Sequence, residues 1–339
     1  MHISFSRSLS RAVPINLLGA ICHVPLLVPY YHMVSDRQIP HLSHLYPYKN
    51  LRQFSEDLDF LTRNYTPIDL REVLRSIHNG TGFRKKKFLL VFDDGFREIY
   101  EVIAPVLHRK GIPAVFFLCT GFIDNKKLCF EHKASLLAGI LEKQVSELKR
   151  SSILKLYLDK GFSYLDPKQA VLNTPYSHQD LLDEVANVID ADFNEYLFNQ
   201  RPYLTSDEIN KLLENGFSVG AHSIDHPRYI ELTDDEKVYQ TVQSVRDIRR
   251  LFGLEYGVFA FPHSDAKISM NLLERIHQSG IVDATFGNQG MLKEPFPCHL
   301  QRFSLEKPCI PARDILVKNY CRKLFKDLSG RGVVQRLIT

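Results

Sequence analysis

What the chain lacks narrows its function before any motif is read. Its six cysteines, at positions 22, 119, 129, 298, 309 and 321, include no C-x-x-C pair. That scatter argues against a disulfide framework and a thiolate zinc site, and for a reducing compartment. An excess of charge is also missing: 43 basic residues stand against 39 acidic ones, a net charge of +4. No basic patch interleaves with aromatics, and Lys85-Lys86-Lys87 is a short solvated lead-in to an apolar run. Nucleic acid is therefore not an expected partner, and no protein partner is implied. A membrane-spanning helix is not expected either. The uncharged run "AVPINLLGAICHVPLLVPYY" (12–31) is broken by Pro14, Pro25 and Pro29. Each proline removes a backbone hydrogen bond that lipid cannot replace.

Arg7 and Arg11 precede that run and leave two readings open. Either residues 1–24 are a signal-like or membrane-surface segment, with peripheral membrane contact through residues 13–31, or the run is a buried lead-in to the first strand. A cytoplasmic or membrane-associated location is expected ahead of a secreted one. The 339 residues, 44% hydrophobic and 24% charged, suffice for a large core of ordinary composition.

Short apolar runs alternate with helical patterns, which predicts an α/β fold. "FLLVF" (88–92) reads as a buried strand. Residues 97–110 read as a helix with Ile99, Val102, Ile103, Val106 and Leu107 on one face, stopped by Gly111 and Pro113. "AVFFL" (114–118) is the next strand, and a strand–helix–strand unit of this length is a parallel crossover. The rhythm returns after residue 200. A helix opens on a capping box, Thr205 with Glu208, and leads to strand "FSVGAHS" (217–223). Further helices over 235–253 and 269–280 lead to "VFAFP" (258–262), "DATF" (283–286) and "HLQRFSL" (299–305). Residues 126–200 break this alternation with continuous helical patterns and read as a helical insertion after the second strand.

Two clusters carry chemistry. "FLLVFDDGFR" (88–97) ends an apolar strand on adjacent carboxylates, Asp93 and Asp94. The C-terminal ends of parallel strands are where ligands and catalytic groups gather, although Asp-Gly is also a strong turn former. "GAHSIDHPR" (220–228) places His222 and His226 four apart, again after a buried strand. On a helical turn such a pair can share one metal, and with a strand-end aspartate it makes a His₂Asp set with room for water. His41, His44 and His132 have no such support.

"VFDDG" followed by "HSIDH" resembles the first two motifs of the polysaccharide deacetylase family, also called the NodB-homology family or carbohydrate esterase family 4. "GVFAFPHSD" (257–265) stands where that family has its third motif, and "PYYHMVSD" (29–36) is similar to the Tyr-His-x-Val opening strand of one branch. The resemblance is strongest over 85–305, apart from the insertion. It implies a distorted (β/α) barrel with the site at the strands' C-terminal ends, and a single catalytic domain over 25–339. It also implies an acetylated amino-sugar glycan as carbohydrate partner and one divalent metal, zinc before other first-row ions. Asp94, His222 and His226 would hold that metal. Asp93 would be the general base that deprotonates the attacking water. The main-chain N–H of His263, after Pro262, would help stabilise the tetrahedral oxyanion.

The sequence departs from the family pattern in places that matter. The third motif has lost its arginine, with Phe259 or Phe261 in its place, and Arg302 is the candidate to orient Asp93 instead. The last motif, Leu-x-His before an acid, is not recognisable, so the general acid is unassigned. His299 and His263 are the candidates, with His32 a third. The leading expectation is metal-dependent hydrolysis of N-acetyl groups. An O-acetyl esterase, or a carbohydrate-binding protein that has lost turnover, stand as alternatives. An aspartate-nucleophile phosphatase does not fit, since it needs Asp-x-Asp so that both carboxylates face one way.

Overall fold

A computed structural model describes residues 14–83, 86–143 and 145–337. The apolar runs become strands β1 (Leu26–Leu27), β2 (Pro29–Tyr31), β3 (Thr66–Pro67), β4 (Lys87–Phe88), β5 (Leu90–Phe92) and β6 (Ala114–Leu118). After the insertion follow β7 (Ser218–Ala221), β8 (Val258–Ala260), β9 (Ala284–Gly287), β10 (His299–Gln301) and β11 (Phe303–Ser304). Eight of them form one parallel sheet in the order β10-β9-β8-β7-β6-β5-β2-β11. Its two edge strands are separated in the chain only by Arg302. One continuous segment therefore carries both edges and curls the sheet into a nearly closed (β/α) barrel. The short β1, β4 and β3 make a three-stranded parallel sheet that extends the N-terminal ends of β2 and β5.

Alternation along the strands separates two apolar clusters. Val28, Val91, Val115, Phe117, Ala260 and Phe286 pack together inside the barrel. Phe92, Phe116, Val219 and Phe259 pack in the other cluster, which joins the barrel to its surrounding helices. With both faces covered, β5, β6 and β8 are buried throughout.

Two expected strands are broken. "FLLVF" is interrupted at Leu89, and "HLQRFSL" at Arg302, where the segment leaves β9 and joins β2. The helix expected over 97–110 opens with a π-turn, Ile99–Ile103, before the regular turns Ala104–Lys110. Pro105 explains this, because it cannot donate to the carbonyl of Glu101. Gly111 ends the helix in the left-handed conformation, at φ 62°. The capping box of Thr205 and Glu208 is formed.

The insertion is helical: Phe130–Leu141, Glu147–Asp159, Pro167–Leu172, Asp180–Val188 and Phe193–Gln200. Its Leu137, Ile153, Tyr157, Val171, Leu182 and Val185 are buried in a second core that also takes in Met33, Leu42, Phe96 and Tyr203 from outside the insertion. At the other end of the chain, Ile15–Ile21 is a helix with Ile15 and Leu18 buried in the main core. Cys22, just beyond it, donates to the carbonyl of Tyr320 in the C-terminal helix Ala312–Leu328. Residues 15–31 thus include a packed lead-in to the first strands, with Leu17 and Ile21 about half exposed. Residues 1–13 of the expected membrane-associated segment lie outside the described residues. Among the described residues, no helix is long and apolar enough to cross a membrane.

Candidate metal centre and active site

The strand ends build the site. Asp93 shares the inward parity of Val91, and its N–H donates to Tyr31. Asp94 and Gly95 then take left-handed conformations, at φ 70° and 72°. Glycine is favoured at 95, since a Cβ on this left-handed residue would also stand 3.0 Å from Leu118 Cδ2. This tight turn aims the neighbouring carboxylates at different partners.

Asp94 Oδ1 faces the two histidines, 3.5 Å from His222 Nε2 and 3.4 Å from His226 Nε2. The histidine pair does not sit on a helix. It is gathered by an irregular turn in which Ser223 and His226 are left-handed, at φ 74° and 59°, and its rings lie 5.2 Å apart. Left-handed non-glycine residues are uncommon, and their concentration here is strain of the kind functional sites hold. His222 Nδ1 donates to the carbonyl of Ala260 at 2.8 Å, so its Nε2 is left bare toward Asp94. Burial pushes the His222 pKa down to about 3, so the ring is neutral.

The residues present fit a metal. The ligand atoms of Asp94, His222 and His226 all lie within 4.8 Å of one another. Asp94 Oδ1 is buried without a hydrogen-bond partner, an arrangement a cation would satisfy. One oxygen and two imidazole nitrogens suit a first-row divalent ion, with positions left for water or substrate.

Asp93 is held differently. Arg302 Nη1 donates to its Oδ1 at 2.7 Å, and both side chains are buried. Burial alone would raise the Asp93 pKa, but the guanidinium overrides it and the carboxyl is held below its usual range. Arg302 is fixed in turn by Gly287, whose carbonyl accepts from its Nε at 3.1 Å, and by the ring of Tyr30, 4.9 Å away.

A cavity of about 440 Å³ opens over these groups, and Asp93, His222, His226, Arg302, His32 and His263 all line it. His32 enters from just beyond β2. Its Nδ1 lies 2.6 Å from Glu306 Oε2, while Glu306 Oε1 accepts from the N–H groups of His32 and Met33. Burial would lower the His32 pKa, yet Glu306 prevails and lifts it to about 9. His263 sits on the cavity wall in a left-handed conformation, with its ring 4.6 Å from that of His226. Pro262 is buried directly before it.

His299 is placed elsewhere, and the general-acid role expected of it does not fit. Both its ring nitrogens are engaged in a fully buried cluster, Nδ1 with Thr285 Oγ1 at 2.7 Å and Nε2 with Asp265 Oδ2 at 3.0 Å. Strand alternation is the reason: His299 and Gln301 both bond Asp265, and Arg302 turns the other way to Asp93.

Two acids in the site escaped sequence reasoning. Glu306 lies two residues beyond β11, so the strand-end rule could have found it. Glu131 comes from the insertion, with Oε2 3.6 Å from His226 Nδ1 and 3.7 Å from His263 Nε2. No spacing signal announces it.

Comparison with known proteins places the fold. A polysaccharide deacetylase family model matches residues 80–282, which include Asp93, Asp94, His222 and His226. The solved structure of the Streptococcus pyogenes deacetylase PplD in complex with acetate superposes with a TM-score of 0.56 at 13% identity, over 86% of this chain and 97% of that one. A de-N-acetylase from Aggregatibacter actinomycetemcomitans gives 0.51 at 14% identity, over 87% and 99%. IcaB from Ammonifex degensii gives 0.50 at 15%, over 87% and 97%. At such identities the likeness is one of fold. A search of curated protein sequences found no significant match. The family match spans more than half of the chain: the protein belongs to the polysaccharide deacetylase family, and is a hydrolase of that family acting on a carbohydrate.

Proposed function

We propose that the chain hydrolyses N-acetyl groups on the amino sugars of a glycan, with Asp93 as general base and His32 as general acid. One observation carries the reading. Three ligand atoms, one each from Asp94, His222 and His226, converge within 4.8 Å of one another at the barrel mouth beside a second, separately clamped carboxylate. When bound by those three, a divalent cation, expected to be zinc, supplies Lewis acidity that acidifies water and polarises a carbonyl.

The chain's own residues do the rest. Arg302 occupies one oxygen of Asp93 and keeps it ionised, leaving the other free to take a proton from water in the cavity. As that proton leaves, the water oxygen bonds to the acetyl carbon. The main-chain N–H of His263 would donate to the developing oxyanion. Breaking the C–N bond then needs a proton on nitrogen, and His32, paired with Glu306, holds one. The products are acetic acid and a free amine, and the proton on Asp93 returns to His32 through solvent.

The alkoxide of an ester needs such a proton less than an amine does, so a built acid favours amide substrates over O-acetyl esters. A pure binding protein needs neither acid nor base. Acetate release from N-acetylated chito-oligosaccharides, measured with and without chelator, tests the reading. Chelator-sensitive release is expected. Faster release from an O-acetylated glycan would favour the esterase, and no release from any acetylated glycan despite bound metal would favour the binding protein.

A further inference from the structure

We propose that Glu131, delivered by the first helix of the insertion, is a positioning residue that holds His226 in the orientation and tautomer needed to bind metal. The inference rests on the metal-centre reading above and concerns a residue outside its motifs. His222 has a backbone carbonyl to fix its ring, at 2.8 Å from Nδ1. His226 has no such backbone anchor: its buried Nδ1 lacks a close hydrogen-bond partner, its side-chain interactions are with Glu131 and the Cys129 thiol, and it sits on a left-handed residue at φ 59°. Glu131 Oε2 stands 3.6 Å from that nitrogen. The other carboxylate oxygen is 3.3 Å from Arg228 Nη2, so the acid is held from behind. A carboxylate there favours the proton on Nδ1, which leaves Nε2 bare toward Asp94 Oδ1, 3.4 Å away. Such a partner behind a ligating histidine fixes its tautomer and raises its basicity.

The position of Glu131 is set by packing. It lies in the first turn of the helix Phe130–Leu141, whose Ala134, Leu137, Ala138 and Leu141 are buried in the second core. The insertion thereby shapes the metal centre as well as walling the cavity. A rival arrangement exists, because Cys129, Glu131 and His226 also bring ligand atoms within 4.8 Å of one another. In that case Glu131 would hold a second ion.

Competition titration of the metal-free full chain with Zn²⁺ against a chromophoric chelator separates these. Wild type, Glu131→Gln and Glu131→Asp are compared, with folding checked by circular dichroism. One ion per wild-type chain is expected, with affinity about 10- to 100-fold weaker in Glu131→Gln and partly recovered in Glu131→Asp. The visible spectrum of the Co²⁺ form should shift in step. If Glu131→Gln fails to fold, a Glu131→Asp affinity below wild type carries the test. Less than a tenfold loss in a folded Glu131→Gln, or wild-type affinity in a folded Glu131→Asp, overturns the positioning role. Two ions in wild type, one of them lost in Glu131→Gln, overturns it in favour of the second site. No ion bound by wild type would instead defeat the metal-centre reading, and the positioning role with it.

Discussion

Asp93 and Asp94 are neighbours in sequence and, on the proposed mechanism, opposites in task. Two successive left-handed residues, Asp94 and Gly95, turn them toward different partners. Asp94 meets two imidazoles and Asp93 meets a guanidinium. Arg302 keeps Asp93 ionised, whereas burial and the neighbouring carboxylates raise the pKa of Asp94, which a bound cation would bring back down. On the proposed mechanism His32 completes the set as the acid, which gives a discriminating expectation. His32→Gln should lower the rate on an N-acetyl substrate by about 10²–10⁴-fold, the usual contribution of a positioned acid. It should lower the rate much less on an aryl acetate, whose leaving group needs no proton. Equal losses on the two substrates would remove His32 from that role. A folded His299→Gln should keep near-normal turnover in the same assay, because its ring is sealed in a separate cluster.

Among the elements, the closing strand positions Arg302 and Glu306 at the site. The break at Arg302 lets one segment pair with β9 and then β2, and so bring Arg302 beneath Asp93 and Glu306 behind His32. Its outward face is pinned by Asp265, which bonds His299, Gln301 and Arg336 and accepts from the N–H of Asn288 at 2.8 Å. Gly287 makes room for this cluster: a Cβ there would lie 2.3 Å from Asp265 Oδ2. Burial would raise the Asp265 pKa, but the His299, Gln301 and backbone hydrogen bonds hold it far below the ordinary carboxylate range. A depressed folded-state pKa gives stability that is full above the unfolded value of about 3.9 and fades as pH falls toward the folded one. Asp265→Asn should therefore melt lower than wild type at pH 7, with the gap narrowing below about pH 4. A gap that stays constant down to pH 2 would show that the charge of Asp265 is not what stabilises the strand.

For the molecule as a whole, what was legible in the sequence followed local rules. Apolar runs and capping residues marked most strands and helices, and "DDG" with "HSIDH" marked the carboxylates and histidines. Long-range closure was not legible. His32 and Glu306 are 274 residues apart and Asp93 and Arg302 are 209 apart, yet each pair is in hydrogen-bonding contact. Only a barrel that joins its last strand to its first brings them together. Register decided the fate of His299, since a strand's alternation cannot be phased until its partners are known. Glu131 was hidden for a different reason: an acid in the first turn of a helix is ordinary, and its meaning lies in where the insertion packs. The most direct test joins metal content to acetate release in wild type and Asp93→Asn. Because Asp93 is placed beside the ligands and not among them, the variant should keep its metal and lose about 10²–10⁴-fold in rate. Full activity in Asp93→Asn, with metal retained, would contradict the assignment of Asp93 as the base.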